Sequence, residues 1–119
     1  MAKNGITTTY DDAGYPGQAA FTTPVTLTSA LTGQVIKGSP GRVLKLVVTT
    51  ALAGSGGVLS LYDSVSAASG TLLYSLPVAT TALNVAGTVI TIDLPAVSGV
   101  YLSNPSGTIT SGAVTIGYS

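Results

Sequence analysis

GRVLKLVVTT (residues 41–50), GSGG (54–57) and GVLSLYDS (57–64) make up the stretch whose reading decides the fold. In the first segment Leu44, Leu46 and Val48 alternate with Val43, Lys45, Val47 and Thr49. A period of two is the mark of a strand with one face on a core. The glycines of GSGG supply the positive φ that a tight connection needs. The third segment alternates again, with Leu59, Leu61 and Asp63 opposite Val58, Ser60 and Tyr62. The motif is therefore strand, turn, strand.

The same pattern continues in both directions. TLLYSLPV (71–78) predicts a strand closed by Pro77, which cannot donate to a ladder and belongs at an edge or an end. TVITIDLP (88–95) places Ile90, Ile92 and Leu94 on one face and Val89, Thr91 and Asp93 on the other. GVYLSNP (99–105) sets Val100 and Leu102 opposite Tyr101, and GAVTIGYS (112–119) aligns Val114, Ile116 and Tyr118. Before Gly41 the signal weakens. A first strand is expected near residues 24–30, and residues 30–39 form a loop or a weak strand around Val35 and Ile36. Helical periodicity with caps is absent throughout. Regular short strands punctuated by Gly and Pro predict an all-β chain: an antiparallel β-sandwich, jelly-roll-like, in a single domain over residues 24–119. Residues 1–23, with isolated apolar side chains and scattered Pro and Gly, are expected to be an extended N-terminal arm.

Composition narrows the function. The 119 residues contain no His, Cys, Glu or Trp, and only 7% are charged, against roughly a quarter in an ordinary domain. Those missing types supply most general acids, nucleophiles and metal ligands, so no enzyme activity, catalytic residue, metal or cofactor is expected. The four cations Lys3, Lys37, Arg42 and Lys45 balance four aspartates. That is too few clustered charges for nucleic acid or an anionic membrane surface. The first residues lack the apolar core of a secretory signal, so synthesis in the cytoplasm is expected. A surface so poor in charge points to burial in an assembly.

Individual candidates are few. Asp11 and Asp12 resemble the start of a Ca²⁺ loop, but such a loop ends on a bidentate glutamate and the chain has none. Asp63 reads as a turn cap, and Asp93 as a strand residue pairing with Lys45 or Arg42. The pair lacks any further sign of glycosidase chemistry. Tyr10, Tyr15 and Phe21 are candidate docking anchors, because aromatic side chains dominate interface hot spots. Lys37 and Arg42 are candidate partners for acidic groups on another protein. Tyr62, Tyr74 and Tyr101 read as outward-facing aromatics able to stack on sugars or on one another across strands.

KGSPGRVLKLVVTTALAGSGGVLSLYDSVSAASGTLLYSLP (37–77) resembles small head proteins of tailed bacteriophages. A GR-x-L/V-K-x-VVTT strand there runs through a Gly-rich turn into a strand ending in YD, then a Ser/Ala/Gly connector and a GT-x-L strand. TVITIDLPAVSGVYL (88–102) is similar to the continuation of that pattern. The resemblance covers about residues 38–119. It implies a structural virion protein on the outer capsid surface, a decoration or cement protein that binds the major capsid protein. Such proteins associate as homotrimers through sheet edges and apolar faces, here with residues 1–23 reaching across capsid subunits. The alternative is a carbohydrate-binding or adhesin-like module of a phage fibre.

Overall fold

The structure, a computed structural model, describes residues 21–54, 57–78 and 84–119. It is the all-β sandwich expected. Eight strands run in chain order: β1 (Phe21–Thr26), β2 (Gly33–Lys37), β3 (Gly41–Ala53), β4 (Val58–Asp63), β5 (Thr71–Pro77), β6 (Val89–Ala96), β7 (Val100–Ser103) and β8 (Ser111–Tyr118). Six lie after Gly41 at the positions their alternation indicates. The weak signal around Val35 and Ile36 is the true strand β2. The first strand begins at Phe21 rather than Pro24, so residues 21–23, assigned from sequence to the arm, belong to the sheet.

The strands form two antiparallel four-stranded sheets, ordered β1-β8-β3-β6 and β2-β7-β4-β5. Every connection crosses from one sheet to the other except β4 to β5. This is jelly-roll wiring: β1 pairs with β8, β2 with β7, β3 with β6 and β4 with β5. The sheets bury their inner faces against each other. Leu46, Val48, Val114 and Ile116 of one sheet are fully buried, as are Leu61, Val100 and Leu102 of the other.

Strict alternation on β3 first fails at Leu44, and the register against β8 shifts again between Val48 and Thr50 and between Thr50 and Ala53. Val43, not Leu44, joins Leu46 and Val48 in the core. Against β8, Val43 faces Tyr118 and Lys45 faces Gly117, so Leu44 is an extra residue, a β-bulge. Against β6, Val43 faces Leu94 and Lys45 faces Thr91. The extra residue there falls on β6, where Asp93 adopts φ +51°. Leu94, paired with the buried Val43, lies on the core-facing side yet is 39% exposed on this outer strand, and Ala96 two residues on is buried.

All four outer strands are blunted. β1, β5 and β6 carry Pro24, Pro77 and Pro95, and β2 is bulged between Val35 and Lys37. Such features discourage edge-to-edge pairing between copies.

One polar side chain holds the end of the sandwich remote from Phe21. Asn104 is completely buried between β7 and a single 3₁₀ turn (Pro105–Gly107). Its amide donates to the carbonyls of Leu31 (2.8 Å) and Ile109 (2.9 Å), and its oxygen accepts from the Ile109 N–H (2.9 Å). Its own N–H donates to the Thr32 carbonyl at 3.0 Å. The β1–β2 and β7–β8 connections are thereby tied together. The turn also brings Gly107, at φ +61°, against the Ser29 carbonyl so closely that a Cβ would collide with it. Asn104→Ala should strand several of these buried groups and cost about 3 kcal/mol. The urea midpoint should fall with the m-value unchanged; a loss under about 0.5 kcal/mol would show that the amide is not the tie.

Candidate functional site

Wiring of this kind gathers specific residues at one end. β1, β3, β5 and β7 start there, and β2, β4, β6 and β8 finish there. The three connections at this end are residues 38–40, 64–70 and 97–99. The described chain begins at the same end, at Phe21.

Tyr118, the last residue of β8, is the hub. Phe21, Thr23 and Val25 pair with Tyr118, Ile116 and Val114, so all six lie on the core-facing side of their sheet. Val25 is buried as that position requires, yet Phe21 remains 60% exposed. Its ring lies 6.0 Å from the Tyr118 ring, tilted by 32°. The Tyr118 hydroxyl is 3.1 Å from Thr23 Oγ1. From the opposite sheet, the Lys37 ammonium reaches over the Tyr118 ring, 5.9 Å from its centroid, within cation–π range. Lys37 thus lies across the mouth of the sandwich, and Phe21 beside it is an inward-facing aromatic without a lid among the described residues.

Arg42 is next along the same end. Its backbone exchanges hydrogen bonds with Ser119, Arg42 N to Ser119 O at 3.0 Å and Ser119 N to Arg42 O at 2.9 Å. Its guanidinium donates to Asp93 Oδ1 at 2.6 Å and to the Asp93 carbonyl at 3.2 Å. Both side chains are exposed, so the ion pair adds little to stability by charge alone. Its role is geometric: it clamps the aspartate at the bulge. Of the two partners expected for Asp93, the structure selects Arg42. Lys45 faces outward and extends along the flank of Gly117.

Asp63 does cap a turn. Its carboxylate accepts from the N–H groups of Val97 (2.9 Å), Ser98 (2.7 Å) and Gly99 (3.3 Å). The Ser98 and Val97 hydrogen bonds hold its pKa below the ordinary carboxylate range. The turn it fixes presents Val97, 75% exposed. Both aspartates are therefore already engaged by the fold.

The opposite end differs in kind. The described residues of its connections, 27–32, 54, 57, 78, 84–88 and 104–110, include no ionisable side chain. Every charge among the described residues lies on the strands and turns toward the Phe21 end.

The structure brings Phe21, Lys37 and Arg42 together at one end, around Tyr118. Tyr10 and Tyr15 lie outside the described residues, as do Asp11 and Asp12. Sequence reasoning placed Tyr118 only as the last member of a core stripe. The useful signal was an aromatic at the final position of that stripe, where a sheet runs out of cover. Tyr74 is not an outward-facing aromatic. A bulge at Leu73 turns it onto the core, and burial pushes its phenol above the ordinary range. No protein-family profile matches the chain, and no curated protein matches it in sequence.

Asp63 has a pH consequence. A carboxylate whose folded pKa is depressed stabilises the fold above its unfolded value, here 3.8, and that stabilisation disappears as pH falls through the folded value. Asp63→Asn should therefore melt below the parent protein at neutral pH. The two melting curves should converge as the pH drops from about 4 toward 2. A gap that persists unchanged at low pH would assign the loss to something other than the charge.

Proposed function

We propose that this chain is a structural virion protein that decorates and stabilises a bacteriophage capsid by binding major capsid subunits, as a homotrimer on the outer surface. The observation that carries the proposal is Phe21. An aromatic on the core-facing side of a sheet, 60% exposed at an open mouth, is a partly desolvated anchor awaiting a cover. Lys37 and Arg42 lie at the same end, and Phe21 is the residue to which residues 1–20 are joined. A docking face and a covalently attached arm thus share one end. An arm ordered on docking costs entropy but spans a subunit boundary. Repeated engagement over a shell multiplies modest individual affinities.

The kind of partner comes from the likeness of residues 38–119 to phage head proteins. The chemistry agrees: a sparsely charged surface suits a protein that works seated on other subunits. A cytoplasmically made protein that stabilises a particle also has no need of disulfides, and this chain has no cysteine. The blunted edges disfavour strand pairing, which supports apolar faces and the mouth as the trimer contacts in this reading.

Deletion of residues 1–20 should leave a folded domain, with the parent's far-ultraviolet dichroism, that no longer decorates capsid shells. Phe21→Ser in the full chain should reduce shell occupancy by about tenfold, as loss of an interface anchor does. Full occupancy by both variants in a sedimentation assay would sink the proposal. Light scattering over a hundredfold concentration range tests the trimer. Three chains of 11.7 kDa give about 35 kDa.

A further inference from the structure

The mouth is more than Phe21. Phe21 pairs with Tyr118, Tyr118 with Val43, and Val43 with Leu94. Paired residues share a face, and Val43 is fully buried, so this is the last core-facing row of its sheet at this end. It crosses all four strands, about 14 Å at the usual interstrand spacing. Yet its two edge members, Phe21 and Leu94, stay exposed. Beside it the Asp63-held turn presents Val97, and Val65 lies against the same turn, where a Cβ on Gly99 would meet its Cγ1 at 3.0 Å. Val65 and Val97 are exposed as well. These apolar side chains share the end with one cation, Lys37, which lies over the Tyr118 ring.

Charge says what fits there. Asp63 is taken up by three backbone N–H groups and Asp93 by Arg42. Lys45 extends along Gly117 on the outer face. Among the described residues Lys37 has no carboxylate partner. The two aspartates that remain are Asp11 and Asp12, in TYDDAGYPGQ (9–18), set between Tyr10 and Tyr15. This stretch combines aromatic cover with negative charge, the two things the mouth lacks. It is also within reach. The chain from Tyr15 to Phe21 spans up to about 20 Å, more than the width of the row. Along it, Tyr15-Pro16-Gly17-Gln18 has Pro and Gly at the two central positions of a type II turn, which reverses a chain.

We propose that in the free chain the segment from Tyr10 to Tyr15 folds back across the mouth of its own sandwich, its tyrosine rings on the Phe21–Leu94 row and its aspartates at Lys37. A tethered segment meets its site at an effective concentration on the order of millimolar, so weak contacts suffice to hold it. Aromatic contacts and an exposed ion pair are contacts of that strength. The segment is a strap. It shields the apolar end from other copies and gives way to a partner that binds the mouth more tightly. The inference concerns the free chain and does not rest on the capsid reading.

The test is paramagnetic relaxation in the full chain. The sequence has no cysteine, so Ala13→Cys gives one site for a nitroxide. Amide signals of Lys37, Leu94 and Val97 should broaden strongly, while those of Val85 and Thr108 at the opposite end stay sharp. Tyr10→Ser with Tyr15→Ser should lower the enhancement at the three mouth residues by at least about threefold. Asp11→Asn with Asp12→Asn should lower it by about twofold. All four positions precede the sandwich, and the signals of the opposite end report that it stays folded. Sharp mouth signals in the labelled parent would overturn the proposal. Broadening indifferent to both double variants would overturn it too, as the mark of a tether that only passes by. So would broadening in a mixture of nitroxide-bearing chain with isotope-labelled chain that lacks the nitroxide, which would assign the cover to a second copy. Shell occupancy is read separately: a capsid that fails to bind leaves these free-chain signals as they are.

Discussion

The pairing of β8 between β1 and β3 is the constraint on which the rest depends. The last strand of the chain sits inside a sheet whose edge is the first strand described. Thr23 and Tyr118, hydrogen-bonded, are 95 residues apart in sequence. Such long-range closure costs loop entropy before any contact repays it, so folding of this topology is slow relative to local folds. It also brings both ends of the sandwich domain to one place. Without β8 there is no Tyr118 beside Phe21, no ring beneath Lys37 and no Ser119 for Arg42 to hold. The open mouth is thus a product of the wiring itself.

With little charge to spend, the fold assigns nearly every polar side chain it uses to the control of backbone. Asp63 gathers three consecutive N–H groups, Asn104 ties two connections, and Arg42 grips Asp93 at the bulge. Each does work that a longer loop or a disulfide would do elsewhere. The bulge matters most for packing. It shifts the phase of β3 so that Val43 enters the core and faces Tyr118 across the ladder. The mouth and the interior are coupled through that one extra residue.

Strands and core were legible because period-two alternation is a local property: Leu46, Val48, Leu59, Leu61, Val100, Leu102, Val114 and Ile116 read directly from spacing. Phase errors were not legible. A bulge inserts one residue and reverses the assignments beyond it, which is why Leu44 and Val43 exchange places and Tyr74 turns inward. Strand order was equally hidden, since short strands of similar composition carry no label naming their partners. At the candidate site, Phe21, Lys37 and Arg42 could be picked by residue type. Their meeting around Tyr118 depends on a β1–β8 pairing that spans nearly the whole domain. The role of Gly33 could not be read at all: a glycine in a weak strand has no visible reason until the Tyr101 ring above it is seen.

The mouth and the outer face of the β2-β7-β4-β5 sheet have different geometries, and the difference follows from the sandwich. The mouth is an end, formed by turns, chain entry and side chains from both sheets. It has charge, aromatic edges and depth, features suited to an irregular protein partner. The Tyr62–Tyr101 band, which Val35 and Leu72 extend across that sheet, is a face, made by the regular repeat of one sheet and without charge. An end and a face of one sandwich lie roughly at right angles. A protein seated by its mouth on a shell would therefore hold the tyrosine band along its flank, open to solvent.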